Sequence, residues 1–546
     1  MNGLMMDFPL TLQHILQRAH RLFPNQEIAT KVGPEMHRYT YADFYRRVNR
    51  LANALARLGV HRGDRVATLA WNTYRHLELY FAVPCMGAVL HTLNLRLPAD
   101  QLIYIIDHAE DQVIFIDQSL LPILEKIAPQ LKTVKCFVVM GPTTAGDAAL
   151  MTSLPCVSDY EELLAAEAEE YPWPALEENE AAGMCYTSGT TGNPKGVLYS
   201  HRAMYLHSQA ECMTDTLGLS ESDSILPVVP MFHVMAWGLP FSALMVGARQ
   251  VFPGPHLQPR DLAELIQFER VTITAGVPTL WLGLLNLLDK ERYDLSSLKT
   301  MVVGGAAAPR SMIERYQKVH NIRVLHAWGM TETTPLGTVA ALKYSMRDRP
   351  EEDRFAVRAK QGLPVPGVEI RGVDEEGKEI PWDGETAGEL QIRGPWVVAR
   401  YYNDPRSEDA FDRGWFRTGD VVTIDAEGYM QIVDRVKDLI KSGGEWISSV
   451  ALENAIMAHP KVAEAAVIAV PHPRWQERPL ALVVPKPNLE APCQKEEIYQ
   501  LLAQSFPRWE LPDDIVFVDS IAKTSVGKFD KKVIRKQFAD YHLPVS

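Results

Sequence analysis

Tyr45-Arg-Arg-Val-Asn-Arg-Leu-Ala-Asn-Ala-Leu-Ala-Arg-Leu58, followed shortly by Val66-Ala-Thr-Leu-Ala70, reads as an amphipathic helix feeding a buried strand. Val48, Leu51, Ala52, Leu55 and Leu58 recur at helical spacing on one face, and the second run is continuously apolar or small. The same alternation extends outward, with strand-like runs at Val113–Ile116, Cys136–Met140, Val271–Ala275 and Met301–Val303. Strands alternating with helices predict an α/β fold rich in parallel sheet. The 546 residues correspond to three or four domain equivalents at roughly 150 residues each. The texture changes at Asp434–Lys441. Strands at Val462–Val470, Leu480–Val484 and Ile515–Val518, a helix at Glu496–Phe506 and a basic helical tail then make a small unit. The expected architecture is a large multi-subdomain N-terminal α/β domain over 1–434, a linker over 435–440, and a small mobile C-terminal α+β lid over 441–546.

Composition narrows the function classes. Apolar residues make up 47% and charged residues 23%, which suits folded cores and excludes disorder. The net charge of −13 argues against nucleic acid as the main partner. Cys85, Cys136, Cys156, Cys185, Cys212 and Cys493 form no CxxC pair, and so scattered a set fits a reducing cytoplasm. No secretory signal is expected over Met1–Pro24, and the final Leu-Pro-Val-Ser is neither a peroxisomal nor an ER address. Ser224–Ala248 carries no Asp, Glu, Lys or Arg, yet its prolines and glycines suit buried core or an apolar ligand cavity better than a membrane span.

Tyr186-Thr-Ser-Gly-Thr-Thr-Gly-Asn-Pro-Lys-Gly-Val197 concentrates glycines, hydroxyls and one lysine. Glycines let the backbone approach an anion, while amides and hydroxyls donate to phosphate oxygens. Lys195 stands six residues after Gly189, as in a Walker A loop, but Pro194 and Gly196 replace that loop's glycine and Ser/Thr. The run therefore reads as a phosphate-gripping loop of another kind, and in isolation it could equally be a solvated turn.

Thr187–Gly196 resembles the signature of the adenylate-forming superfamily, which includes acyl-CoA synthetases, luciferases and peptide-synthetase adenylation domains. Further matches follow in order: Gly304-Gly-Ala-Ala-Ala-Pro309, Trp328-Gly-Met-Thr-Glu332, Gly388-Glu-Leu390 with Arg393-Gly-Pro395, Thr418-Gly-Asp420, Asp434-Arg-Val-Lys-Asp438 and Lys523-Thr-Ser-Val-Gly-Lys528. The resemblance implies that Thr187, Ser188, Gly189, Thr190, Thr191, Gly192 and Lys195 hold the ATP phosphates, with Thr187 and Glu332 on Mg²⁺. It assigns Gly305, Ala306, His326, Ala327, Trp328, Gly329 and Thr331 to the adenine side, and Asp420 and Arg435 to the ribose. It makes Lys528 the catalytic lysine of the first step and Lys437 the hinge. In isolation Asp420 would read as a turn residue, Lys528 as part of a basic tail, and Lys437 as a helix-start lysine. Trp328 stands where Tyr or Phe is commoner, Ala522 where proline is frequent, and Lys531 and Lys532 where arginines are common.

Within the uncharged segment, Pro230-Met-Phe-His-Val-Met-Ala-Trp-Gly-Leu-Pro240 is similar to the acyl-site stretch of medium- and long-chain fatty acyl-CoA synthetases, as is Ser442–Ser449. The similarity makes Trp237 a gate on an acyl tunnel, flanked by His233 and Val234, with Gly305 beside it and Lys441 and Trp446 closing from the lid. Trp237 could equally be a core aromatic. The implied reaction is ATP-dependent activation of a medium- or long-chain fatty acid to acyl-AMP, then transfer to coenzyme A. A short methylthio or aromatic acid, a carrier-protein thiol, and a membrane-associated fatty-acid binding protein remain alternatives. The expected partners are a small carboxylic acid, ATP with Mg²⁺, and coenzyme A, without nucleic acid, with at most peripheral membrane contact, and with a homodimer open.

Overall fold

Two large mixed sheets form the frame of the N-terminal region. The first has seven strands in the order Val157–Asp159, Cys136–Met140, Asp111–Asp117, Arg65–Leu69, Val89–Thr92, Ala181–Tyr186, Gly196–Ser200, all parallel until the last pair. The second has nine. Its centre, from Arg323–Gly329 through Thr300–Val303, Ile273–Gly276, Ser224–Pro227 and Arg249–Phe252 to Glu27–Val32, is parallel, and antiparallel strands close both ends. The computed structural model describes residues 1, 3–141, 152–187, 193–443, 445–487, 491–523, 529–539, 541 and 543.

The opening stretch forms helix Tyr41–Arg57, longer at its start than its apolar stripe, because Thr40 and Asp43 cap it reciprocally. Its buried face joins a core with helix Tyr74–Cys85, every residue of which is buried. The five strands read from the sequence all form, shifted by no more than two residues at an end. Ala165–Glu180 runs as an irregular connection after helix Tyr160–Ala165.

The uncharged segment is core. It supplies strand Ser224–Pro227 and the buried helix Leu239–Val246. Between them lies a left-handed turn in which Val234, Met235, Ala236 and Trp237 have φ between +47° and +57° and Gly238 has +84°. Among the described residues no helix is long and apolar enough to cross a membrane.

A third, antiparallel sheet of Glu369–Val373, Gly388–Arg393, Trp415–Ile424, Phe411–Asp412 and Met430–Arg435 leads to the small domain. There, strands Val462–His472 and Gln476–Pro485 pair over their whole length, and Asp514–Phe517 adds a parallel neighbour. Val467 and Ala465 pack under helices Ser449–Met457 and Lys495–Leu502, while Ala466, Ile468 and Val470 pack toward Lys531–Gln537. The helix expected over Glu496–Phe506 stops at Leu502. Pro507 disfavours helical geometry at Phe506, and the chain leaves in a turn.

The two domains are bonded across their linker. Buried Asp434 accepts from Ser449 N at 2.6 Å and Ser449 Oγ at 2.5 Å, and Ser448 Oγ donates to Val433 O. Lys531 donates to Ser449 Oγ and pairs with Glu453 at 2.7 Å, while Arg535 pairs with Asp438 at 2.7 Å.

Candidate active site

Strand Ala181–Tyr186 ends at Thr187, and strand Gly196–Ser200 returns beside it. Thr187 N donates to Lys195 O at 2.9 Å and Lys195 N donates to Thr187 Oγ1 at 3.3 Å, so the mouth of the candidate phosphate loop is closed by its own ends. Ser188, Gly189, Thr190, Thr191 and Gly192 lie outside the described residues, as does Lys528.

Three chain segments converge on that mouth. Lys195 Nζ stands 4.4 Å from the Tyr401 ring centroid, a cation–π distance, and Tyr401 Oη donates to Glu332 Oε1 at 2.8 Å. Tyr199 Oη donates to Thr331 O at 2.8 Å, Val398 N to Glu332 O at 2.7 Å, and Tyr402 N to Gly196 O at 2.8 Å. Gly329 makes the turn at 330–335 possible, since a Cβ there would lie 2.0 Å from Pro335 O. Glu332 is 7% exposed. Burial pushes its carboxyl up from the ordinary value, opposed by the Tyr401 hydroxyl and by the charges of Arg435 and Lys195.

The second cluster centres on Asp420, 2% exposed. Trp328 Nε1 donates to its Oδ2 at 3.0 Å, and Arg435 Nε pairs with its Oδ1 at 2.9 Å. Asp420 and Arg435 are cross-strand partners, so the antiparallel pairing itself sets this ion pair. His326 is tied to the protein through both ring nitrogens. Its Nδ1 faces Ala359 O at 3.1 Å and its Nε2 accepts from Ala308 N at 3.3 Å, while burial pushes its pKa down to about 4. It is a neutral strut holding the 304–309 loop, where Gly305 and Ala306 face outward of it.

The acyl-side residues divide. The Trp237 ring lies against Gly304, whose hydrogen stands where a Cβ would come within 3.2 Å of the indole, so the uncharged segment does reach the 304–309 motif. Val234 is buried and His233 half-buried. Behind the turn is a cavity of about 10 Å³ lined by Tyr199, Met204, His207, Val234, Met235 and Phe241 among others. That is room for about one water. Lys441 and Trp446 are cross-strand partners on the small domain's hairpin, Lys441 Nζ standing 4.4 Å over the exposed indole. Lys437 is exposed in the linker.

Among the described residues no group of three or more His, Cys, Asp and Glu side chains could hold a metal by itself. Mg²⁺ generally takes one or two carboxylates and completes its shell with water and phosphate oxygens. Glu332, a buried carboxylate whose burial is only partly offset by its neighbours, fits such an anchor. Tyr401, Tyr199 and Arg406, which donates to Asn193 O at 3.2 Å, escaped the sequence reading. Tyr401 sits in an irregular stretch after Arg393-Gly-Pro395 and Arg406 in the short 3₁₀ helix Pro405–Ala410, where no periodicity marks them, and Tyr199 reads as an ordinary strand aromatic.

A large α/β domain, a small C-terminal domain on a short linker, and a lysine-bearing loop set against a buried glutamate make the build of a nucleotide-dependent activating enzyme. Residues 16–402 match the AMP-binding enzyme family and residues 451–528 match the AMP-binding enzyme C-terminal domain. The chain belongs to the AMP-binding enzyme family. It is 50% identical to a long-chain-fatty-acid–CoA ligase of Thermus thermophilus, over 98% of this chain and 97% of that one. It is 45% identical to a 3-methylmercaptopropionyl-CoA ligase of Ruegeria lacuscaerulensis, over 99% of each. Its fold is similar to the crystal structure of the anthranilate CoA ligase AuaEII in complex with anthranoyl-AMP, with TM-score 0.85 and 26% identity over 97% and 98% of the two chains.

Proposed function

We propose that the chain is an AMP-forming acid–thiol ligase that activates a medium- or long-chain fatty acid and passes it to coenzyme A. The observation that carries this reading is the convergence of Lys195, Tyr401 and Glu332 at the mouth of the phosphate loop. The half-identical long-chain ligase supports the acid class. Thr187 and Glu332 would hold Mg²⁺, which supplies charge neutralisation on the ATP phosphates. Lys195 and Lys528 steady the anionic phosphates, and Trp328 with Gly305, Ala306, Ala327, Gly329 and Thr331 lines the adenine. Asp420, held by Trp328 and Arg435, accepts from the ribose hydroxyls. The acid's carboxylate oxygen bonds to the α-phosphorus as the bond to pyrophosphate breaks, with Lys528 offsetting the charge that grows there. The thiol then bonds to the acyl carbon, and AMP leaves. Lys437, in a linker over 435–440, is the pivot by which a C-terminal domain over 441–546 brings Lys441 and Trp446 to the second step. Six unpaired cysteines support a cytoplasmic setting. The homodimer reading rests on family resemblance.

The Ruegeria relative, at 45% identity, favours a second reading, a short acid such as a methylthio acid. A ligation panel from C2 to C18 with methylthio and aromatic acids, scored by pyrophosphate release and thioester formation, separates the two. A fatty-acid optimum is expected. An optimum on a short or aromatic acid replaces the substrate, and pyrophosphate release that is indifferent to acid and to Lys528→Ala refutes the ligase.

A further inference from the structure

A cavity of about 540 Å³ opens between strand Glu35–Thr40 and helices Tyr41–Arg57, Tyr74–Cys85 and Tyr160–Ala165, on residues that take no part in the site above. Its wall carries Arg38, Arg47, Arg75 and His37 against the carboxylates Glu35 and Glu161. Most of these charges are spent on protein. Glu161 Oε1 accepts from Arg47 Nη2 at 3.0 Å, Arg75 Nε at 2.8 Å and Tyr74 Oη at 3.4 Å, and its Oε2 accepts from Arg47 Nη1 at 2.9 Å. Arg47 gives its other donors to fully buried Glu78, and Arg38 gives its own to Glu27 and Glu269.

Arg75 is the exception. It is 9% exposed and stacked 4.6 Å from the Tyr74 centroid, yet only its Nε has a protein partner among the described residues. A guanidinium carries five N–H donors, and the four on Nη1 and Nη2 are left for whatever occupies the cavity. His37, stacked on the same Tyr74 ring at 3.9 Å, adds a buried Nε2 without a partner. A donor-rich guanidinium held by packing, in a concavity of small-molecule size, has the chemistry to receive an anion.

We propose that this cavity binds the phosphate or carboxylate group of a small anionic ligand, gripped two-pronged by Arg75 Nη1 and Nη2. Asn72, just before the helix that carries Arg75, and Tyr80 on that helix clamp the chain leading to Trp237. Asn72 Nδ2 donates to Pro227 O and Val229 O at 2.9 Å, its Oδ1 accepts from Met231 N at 2.7 Å, and Tyr80 Oη donates to Met231 O. Occupancy of the cavity therefore acts on the acyl segment, a coupling that rests on the acyl reading given above.

The test is calorimetry on the full chain with AMP saturating the nucleotide site, titrating inorganic phosphate and acetate separately. One anion per chain is expected, and the anion that binds distinguishes a phosphate from a carboxylate source. Arg75→Gln weakens it at least tenfold, Glu35→Gln at the exposed rim tightens it, and Lys195→Ala leaves it unchanged. No binding of either anion, or equal affinity in wild type, Arg75→Gln and Glu35→Gln, overturns the site. Should Arg75→Gln not fold, the Glu35→Gln comparison decides alone. In the ligation assay the bound anion changes the acid KM of the wild type and not of Arg75→Gln. An unmoved KM overturns the coupling, and in a chain that ligates no acid the calorimetry still decides whether the anion binds.

Discussion

Tyr401→Phe isolates one hydrogen bond at the centre of the proposed active site. The phenyl ring stays, so the face presented to Lys195 4.4 Å away is kept, and only the hydroxyl donated to Glu332 at 2.8 Å is lost. Glu332 already has its pKa raised by burial, and the Tyr401 hydroxyl is the first of the groups that hold it down. Hydrogen bonds to charged groups contribute about 1.5–3 kcal/mol. At 1.36 kcal/mol per pH unit, the carboxylate form needed to anchor Mg²⁺·ATP then requires a pH about one to two units higher. The expected result is that the acidic limb of the pH profile of kcat/KM for ATP moves upward by that amount. Activity recovers on the alkaline side, where Glu332 ionises without help. Stopped pyrophosphate-release assays at saturating acid across the pH range read both features. A profile that overlays the wild type, or a uniform loss at every pH, refutes the argument that Tyr401 acts by keeping Glu332 ionised.

Trp328→Phe deletes the indole donor to Asp420 and should weaken AMP binding about tenfold, the equivalent of about 1.4 kcal/mol, as read by calorimetry. Gly238→Ala adds a Cβ 2.6 Å from His207 Cε1 at φ +84°. Left-handed strain of about 1–2 kcal/mol and overpacking of about 1–3 kcal/mol predict a loss of about 2–5 kcal/mol in urea unfolding. Burial pushes Glu211 up to about 8 despite the hydrogen bond from Ser242. Because the folded value lies above the ordinary one, the stability it lends is complete below about 4.5 and is lost as pH rises through about 8. Thermal melts should therefore fall between about pH 5 and about pH 8 in the wild type, and Glu211→Gln should flatten that slope.

The sheets were legible because each buried strand is a short run of Val, Ile, Leu and Phe, and a strand shielded on both faces has no polar alternation to blur it. The candidate phosphate loop stands out in the sequence for another reason, its concentration of glycines and hydroxyls. What escaped was determined by geometry that no local pattern encodes. Tyr401 acts through a loop, and its distance to Glu332 follows from the Val398–Glu332 backbone bond rather than from any spacing. The left-handed turn at Val234–Trp237 runs against local preference by about 1–2 kcal/mol per residue. Only its surroundings hold it, with Met235 and Val234 amides at the Cys185 sulfur and the Met235 methyl seated over Gly183. His326 likewise spends both ring nitrogens on backbone groups that no local pattern names.

Asp434 lies next to the end of the last strand of the large domain, and Ser449 opens a helix of the small one, so the bonds between them straddle residues 435–440. Bonds that straddle a pivot cannot survive its rotation. Any turn about residues 435–440 must release Asp434 from Ser449 and Val433 from Ser448 together, stranding a buried carboxylate beside Lys531 unless new donors arrive. The linker is thus a latch as much as a tether. In the proposed rotation about residues 435–440, the depth of this latch, more than the suppleness of the chain, sets how readily the two domains change places.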